Sequence, residues 1–216
     1  MEKYKDKYRT ESNRMPGWDY SRNGYYFVTI VTKEHICWFG EIKNGKMIFS
    51  DFGKIANIEW FKSFKIRREL FLDEFILMPN HLHAIIILNN PIIKNDANIR
   101  DVGIRDDRDV ETHGRASLHS NSNSNPEFNG QPQLIRKPKS ISSFIGGYKS
   151  VVNTKIDDLI DYKHLEIKKF NRKNRLWQVN YNDHIIRNRR EYIAIKKYIQ
   201  NNPKNWDSDN FNTGKL

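Results

Sequence analysis

The chain has 216 residues, of which 38% are hydrophobic, a formal net charge of +11 and a single cysteine, Cys37. That length allows one domain with a sizeable core, or one domain plus an insertion, and the low apolar share predicts a part that does not pack. The lone cysteine excludes an internal disulfide and a multi-cysteine zinc site.

No run reaches the roughly eighteen apolar residues of a membrane span. The charged start, residues 1–5, lacks the apolar region of a secretory signal, so the cytoplasm is the expected compartment. The basic excess sits in residues 139–216, with 16 Lys/Arg against 8 Asp/Glu, whereas residues 89–138 balance at 7 against 7. A basic face is the electrostatic footprint of phosphate binding, and it is equally compatible with a solvated lysine surface.

Taken in chain order, residues 25–32 are β-branched or aromatic throughout and predict a strand buried on both faces. Residues 36–42 and 46–49 flank Lys43-Asn44-Gly45, the signal of a hairpin. Asp51 is placed to cap a helix running to about Phe64, with Ile55, Ile58, Phe61 and Phe64 at helical spacing. Residues 71–77 and 81–88 predict two more strands around a Met78-Pro79-Asn80 turn. Residues 89–138 lose apolar periodicity and contain Ser120-Asn121-Ser122-Asn123-Ser124-Asn125-Pro126, which predicts a flexible insertion rather than a domain. Ser140 is a candidate cap for a helix through Phe144, Tyr148, Val151, Val152 and Ile156. Residues 177–187 carry a strand centred on His184-Ile185-Ile186. A last helix runs from about Arg189 to Asn202, where Pro203 stops it. The order predicts a single α+β domain with an antiparallel sheet covered mainly by helices.

His81 and His83 lie two residues apart on a strand, so their side chains leave one face and can share a divalent ion. The same pattern suits two partly buried, hydrogen-bonded histidines. Tyr198 and Asn202 are four apart and share a face of the last helix. Tyr192, Ile195 and Ile199 form that helix's apolar stripe. Tyr198 sits at its margin beside Lys196 and Lys197, where it is either a boundary tyrosine with a wet hydroxyl or a reactive phenol. Together the two pairs make a chemical proposition. Two imidazoles and an amide oxygen can hold Mg²⁺ or Mn²⁺ with positions open for a phosphate oxygen, which a tyrosine on the neighbouring helix can attack. The 5′-phosphotyrosine so formed conserves the bond energy for rejoining. A phenol's ordinary pKa of about 10 means that its ionisation needs help, and the sequence offers no obvious base.

Tyr148, in Ile145-Gly146-Gly147-Tyr148-Lys149-Ser150, is a rival nucleophile, but it shares its helix face with Phe144, Val151 and Val152, which favours packing or stacking. Lys149, Lys155, Arg187, Arg189 and Arg190 are candidate phosphate contacts and Trp177 a candidate base-stacking ring, although a solvated surface explains them as well. His184 reads as structural or supporting. His35, His113, His119 and His164 have no partner at ligand spacing.

Leu77-Met78-Pro79-Asn80-His81-Leu82-His83-Ala84-Ile85-Ile86 resembles the His-hydrophobic-His strand of the IS200-like single-tyrosine transposases. Met15-Pro16-Gly17-Trp18-Asp19-Tyr20, followed by Gly24-Tyr25-Tyr26-Phe27-Val28-Thr29, is similar to the entry of the REP-associated branch of that superfamily. So are Phe39-Gly40-Glu41-Ile42, the run from Trp177-Gln178-Val179-Asn180 to Arg187, and Tyr198-Ile199-Gln200-Asn201-Asn202-Pro203. The likeness covers residues 14–88 and 139–212. It implies a ferredoxin-like or RRM-like sheet, His81 and His83 as metal ligands, Tyr198 as nucleophile, and single-stranded or hairpin DNA as the partner of a monomer or homodimer. Related transposases carry a glutamine four residues after the tyrosine as a third ligand; here that position is Asn202, one methylene shorter.

The expected activity is therefore metal-dependent nicking and rejoining of single-stranded DNA. Its competitor is a non-catalytic single-stranded nucleic-acid binder on the same fold, for which the combination of His81, His83 and Tyr198 would be superfluous. A water-using metal hydrolase is disfavoured because no further carboxylate stands at ligand spacing near the histidines. Deleting residues 95–135 and closing the gap with a short Gly/Ser linker should leave a folded protein, since surface insertions tolerate length change. Loss of the cooperative melt in circular dichroism would refute the insertion.

Overall fold

The structure, a computed structural model, describes residues 15, 17–90 and 138–213. Residues 91–137, most of the expected insertion together with His113 and His119, lie outside the described residues. The elements are β1 (Gly24–Val31), β2 (Gly40–Lys43), β3 (Lys46–Phe49), α1 (Asp51–Ile66), β4 (Leu70–Leu77), β5 (His81–Leu88), α2 (Ile141–Tyr162), β6 (Asn182–Ile186) and α3 (Arg189–Asn201). Short 3₁₀ turns occupy Lys33–His35 and Asn202–Ser208.

Four strands form one antiparallel sheet in the order β4-β5-β1-β6. Each of the two crossovers, through α1 and through α2, skips one strand. With β1-α1-β4-β5-α2-β6 as the frame, this is the ferredoxin-like split βαβ arrangement. The β2–β3 hairpin is a separate ribbon turned at Asn44 and Gly45, both with positive φ of 52° and 68°, as a tight hairpin turn requires.

Strand alternation divides the sheet. Tyr26, Val28 and Ile30 of β1 and Leu82, Ala84, Ile86 and Leu88 of β5 join one aromatic-rich core with Trp60, Phe144, Tyr148, Val152 and Ile156 of α1 and α2. The opposite face carries Tyr25, Phe27, Ile76, Ile85 and Ile186, covered by Tyr192, Ile195 and Ile199 of α3. Two helices therefore pack on one face and the third on the other.

Local signals start and place the helices. Ser50, not Asp51, caps α1, its side chain accepting from the Gly53 amide at 3.0 Å. Ser140 caps α2 in a reciprocal capping box with Ser143. Helix α3 is pinned over β4 by a β-bulge: the register slips between Leu72 and Glu74, and the Asp73 carboxylate between them accepts from Tyr192 Oη at 2.8 Å and Lys196 Nζ at 3.2 Å. Gln200 adds a bond to Glu74 at 2.8 Å.

At the centre of the main core, Trp60 is fully buried, with Phe64, Phe75, Phe144 and Tyr148 at ring distances of 5.5, 5.1, 5.3 and 4.9 Å. Trp60→Ala should cost about 3–5 kcal/mol, read as a lowered urea midpoint with unchanged slope.

Candidate active site

The β4–β5 turn sets the geometry. Met78 N donates to the His81 carbonyl at 2.8 Å, Phe39 N to that of Pro79 at 2.9 Å and Thr32 N to that of Asn80 at 2.8 Å. The turn is thus bonded on both sides, and the first residues of β5 are held in a fixed register, His81 opposite Val31 and His83 opposite Thr29. His81 and His83 leave the α3 face of the sheet with ring centroids 4.6 Å apart. Both are buried, at 0% and 2% exposure.

Helix α3 brings Tyr198 over them. Its hydroxyl lies 3.2 Å from His83 Nε2, and its ring meets Phe27 edge-on at 6.3 Å. Tyr198 is 44% exposed while Ile199 beside it is 1% exposed, so the tyrosine sits on the margin of the apolar stripe, open to solvent. The chain does not stop at Pro203. It continues as the 3₁₀ turn Asn202–Ser208 and folds back, so that Trp206 and Phe211 cover His81 at 6.0 and 4.6 Å. This return also buries Asn202 and brings in Asp209, whose Oδ2 accepts from Asn202 Nδ2 at 3.1 Å and whose Oδ1 accepts from the Phe211 amide at 2.7 Å.

The polar atoms here are unevenly served. His83 Nδ1 meets Thr29 Oγ1 at 2.8 Å, and His81 Nδ1 meets Asn80 Oδ1 at 2.8 Å. His81 Nε2 and Asn202 Oδ1, by contrast, are both buried with no hydrogen-bond partner. Each such orphan costs on the order of 1–3 kcal/mol, so two in one place need a reason.

Burial is also the first cause of the electrostatics. It pushes the His81 imidazole down to about 3 against the opposing pull of Asn202, with the field of His35 lowering it further. His83 is held well below the ordinary imidazole range by burial and by His81, which Asp209 partly offsets. Both rings are therefore neutral, the form in which histidine binds a metal. Tyr198 is raised by its partial burial and by Asp209, with Asn202 opposing.

The remaining sequence candidates divide. Tyr148 is 1% exposed, its hydroxyl donates to the Ala56 carbonyl at 3.2 Å, and burial raises its pKa strongly, so it is a core residue on the far side of the sheet. Trp177 does not stack a base: it is 3% exposed, bridges to Thr32 and packs on Phe39 and Tyr148 at 5.1 and 5.8 Å. Lys155 lines a groove between α1 and α2 with Ile55, Ile58, Lys62, Leu159 and Tyr162, on the layer opposite the histidines. Lys149 donates to the Gln178 and Asn180 carbonyls at 2.8 and 3.0 Å, holding the approach to β6.

Arg187, just before the helix, and Arg189 and Arg190, at the start of α3, are exposed; the last two lie roughly 12–14 Å from Tyr198 along the helix axis. His184 pairs with Glu191 at the surface. Four residues not anticipated from sequence join the site. Asn80 and Thr29 touch the rings, Asp209 orients Asn202, and His35 stacks on Phe211 at 5.7 Å. The only sequence hint of any of them is that Asn80 precedes His81.

No family profile matches the chain. A protein of Haemophilus influenzae, itself uncharacterised, is 30% identical over 203 residues, spanning 92% of this chain and 90% of that one. The chain belongs to the same family as that protein. Among solved structures, similarity is found to a REP-associated tyrosine transposase bound to a REP hairpin, at 14% identity and a TM-score of 0.48 over 89% of this chain and 74% of that one. It is also found to a candidate transposase of Deinococcus radiodurans, at 12% identity and a TM-score of 0.39 over 87% of this chain and 95% of that one.

Proposed function

We propose that the chain is a tyrosine nuclease and strand transferase of the REP-associated transposase type, acting with a divalent metal on single-stranded or hairpin DNA. The observation that carries this is the pairing of Tyr198 Oη with His83 Nε2 at 3.2 Å, beside two buried acceptors, His81 Nε2 and Asn202 Oδ1, that lack any donor.

The donor set fits a hard or borderline divalent cation. Among the described residues no three His, Cys, Asp or Glu side chains gather as a metal site, so the ligands would be His81, His83 and the Asn202 amide oxygen, leaving room for phosphate oxygens. The bound cation would supply positive charge to the scissile phosphate and to the phenol oxygen. His83 Nε2 has one lone pair, so holding the cation and accepting from Tyr198 are mutually exclusive. Tyr198 Oη attacks phosphorus, forming an O–P bond as the bond from phosphorus to the 3′ oxygen breaks. The phenolic proton passes to water and the released 3′ oxygen takes one up. Attack by a different 3′-OH on the phosphotyrosine reverses the step and joins a new end. The exposed Arg187, Arg189 and Arg190 would bind phosphates of the DNA strand.

A passive binder of the RRM type needs an open sheet face on which bases stack. Here Tyr25 and Phe27 on that face lie under α3, which favours the enzyme.

Tyr198→Phe keeps the ring contacts and removes the attacking oxygen. It should fold, bind a hairpin oligonucleotide and form no covalent adduct on a denaturing gel with Mn²⁺, whereas Tyr148→Phe should retain the adduct. Mass spectrometry mapping the phosphate to any tyrosine other than Tyr198 would overturn the assignment. His81→Ala and His83→Ala should each abolish cleavage while retaining most DNA binding, and wild-type cleavage by either would remove the metal site. The triple change of Arg187, Arg189 and Arg190 to Ala should flatten the salt dependence of binding by up to about three phosphate contacts, measured as the slope of log affinity against log salt.

A further inference from the structure

Asn80 is fully buried in the turn before β5, and every polar atom of its side chain is engaged. Its Nδ2 donates to two backbone carbonyls, His35 O at 2.8 Å and Phe211 O at 2.7 Å. Carbonyl oxygens only accept, so the amide has one permitted orientation: nitrogen toward the carbonyls, oxygen toward His81. That oxygen lies 2.8 Å from His81 Nδ1 and can only accept. The Nδ1 atom must therefore carry the proton, and in a neutral ring Nε2 is then a bare lone pair. This nitrogen is the buried atom without a partner.

The same logic holds across the site. Asn202 Nδ2 donates to an Asp209 carboxylate oxygen at 3.1 Å, which leaves Oδ1 as the bare atom. The contrast is His83, where a threonine hydroxyl on one nitrogen and a phenol on the other can each donate or accept, so either tautomer is allowed.

We propose that Asn80 is a positioning residue that holds His81 in the Nδ1–H tautomer, and so keeps its Nε2 available to a divalent cation. This rests on the metal-site proposal above for its purpose, but not for its chemistry. Asn80 also makes that tautomer conditional on chain segments distant in sequence. The carbonyls that orient it belong to the turn at His35, where Glu34 and His35 both hold positive φ of 57° and 59°, and to the returning C-terminal segment at Phe211. If both carbonyls moved away, the amide could rotate and present its NH₂ to Nδ1, and the ring would then favour the Nε2–H tautomer, losing the Nδ1 proton to water and taking one up at Nε2. A protonated Nε2 binds no cation. The fold-back after Pro203 thus assembles the metal ligands' environment as well as covering it.

The test reads proton position directly, without turnover. Long-range ¹H–¹⁵N correlation of the metal-free, ¹⁵N-labelled full chain near neutral pH should place the His81 proton on Nδ1, with the resonance assigned by its loss in His81→Gln. In Asn80→Ala the proton should move largely to Nε2, and Mn²⁺ affinity measured by water proton relaxation should fall by about tenfold or more. If Asn80→Ala does not fold, the wild-type tautomer still decides. A wild-type His81 proton on Nε2, or a tautomer unchanged in folded Asn80→Ala, overturns the role of Asn80. A wild type with the Nδ1–H tautomer but no Mn²⁺ binding supports the role of Asn80 and instead overturns the metal site.

Discussion

The two-residue alternation of β5 is the constraint on which the other features of the site depend. Leu82, Ala84, Ile86 and Leu88 are committed to the aromatic core under α1 and α2, and this forces His81 and His83 to the other face. A register slip of one residue would turn both imidazoles into the aromatic core and put Leu82, Ala84, Ile86 and Leu88 on the α3 face, so the packing energy of the main core fixes where the histidines point. The sheet cannot leave that face bare either, because Tyr25, Phe27, Ile85 and Ile186 lie on it. Helix α3 covers them with Tyr192, Ile195 and Ile199, and Tyr198, next to Ile199, arrives over His83 as a consequence of that coverage. In this sense the position of the phenol follows from hydrophobic burial, and the ion pair and hydrogen bonds at Asp73 set only the fine placement of the helix.

Features set by local periodicity were legible in the sequence. The strand at His81–Leu88 carries its own alternation, the stripe of α3 identifies its buried face, and Ser140 announces a helix start. What could not be read was set by partners far along the chain. Asn80 bonds Phe211 across 131 residues, and Asp209 reaches the site only because a 3₁₀ turn carries the chain on past Pro203. Proline ends an α-helix by removing a donor and crowding the preceding turn, but it fits the first positions of a new turn, and nothing local distinguishes a stop from a change of pitch. Trp177 is buried for a related reason: its bridge to Thr32, far along the chain, and its packing on Phe39 and Tyr148 hold the ring inside, which nothing local in the sequence signals. Lys155 shows the limit of counting charges: it belongs to the basic stretch 139–216 but lies on the layer away from the histidines.

The energetics of the site are those of a structure held ready at some cost. Two buried neutral imidazoles, a bare amide oxygen and a bare ring nitrogen together destabilise the fold by several times the net worth of one hydrogen bond, roughly 1 kcal/mol. The surrounding network offsets part of this. The turn 78–80 is bonded from three directions, and Phe211 and Trp206 supply apolar cover. Two unserved acceptors side by side are more simply accounted for by something they bind than by the fold.

The phenol presents the sharpest consequence. Partial burial and the nearby Asp209 carboxylate both raise the Tyr198 pKa, so in the metal-free site the hydroxyl is further from ionisation than a free tyrosine, and it lies within hydrogen-bond distance of His83 Nε2. An unliganded enzyme of the proposed type would then be protected from attacking DNA indiscriminately. If His81, His83 and Asn202 held a divalent cation, the His83 lone pair would no longer be open to the phenol, and the added positive charge would oppose the field of Asp209 and favour phenolate. Metal and substrate phosphate would therefore be required together before the nucleophile is competent, and the same residues that hold the cation would set the timing of cleavage.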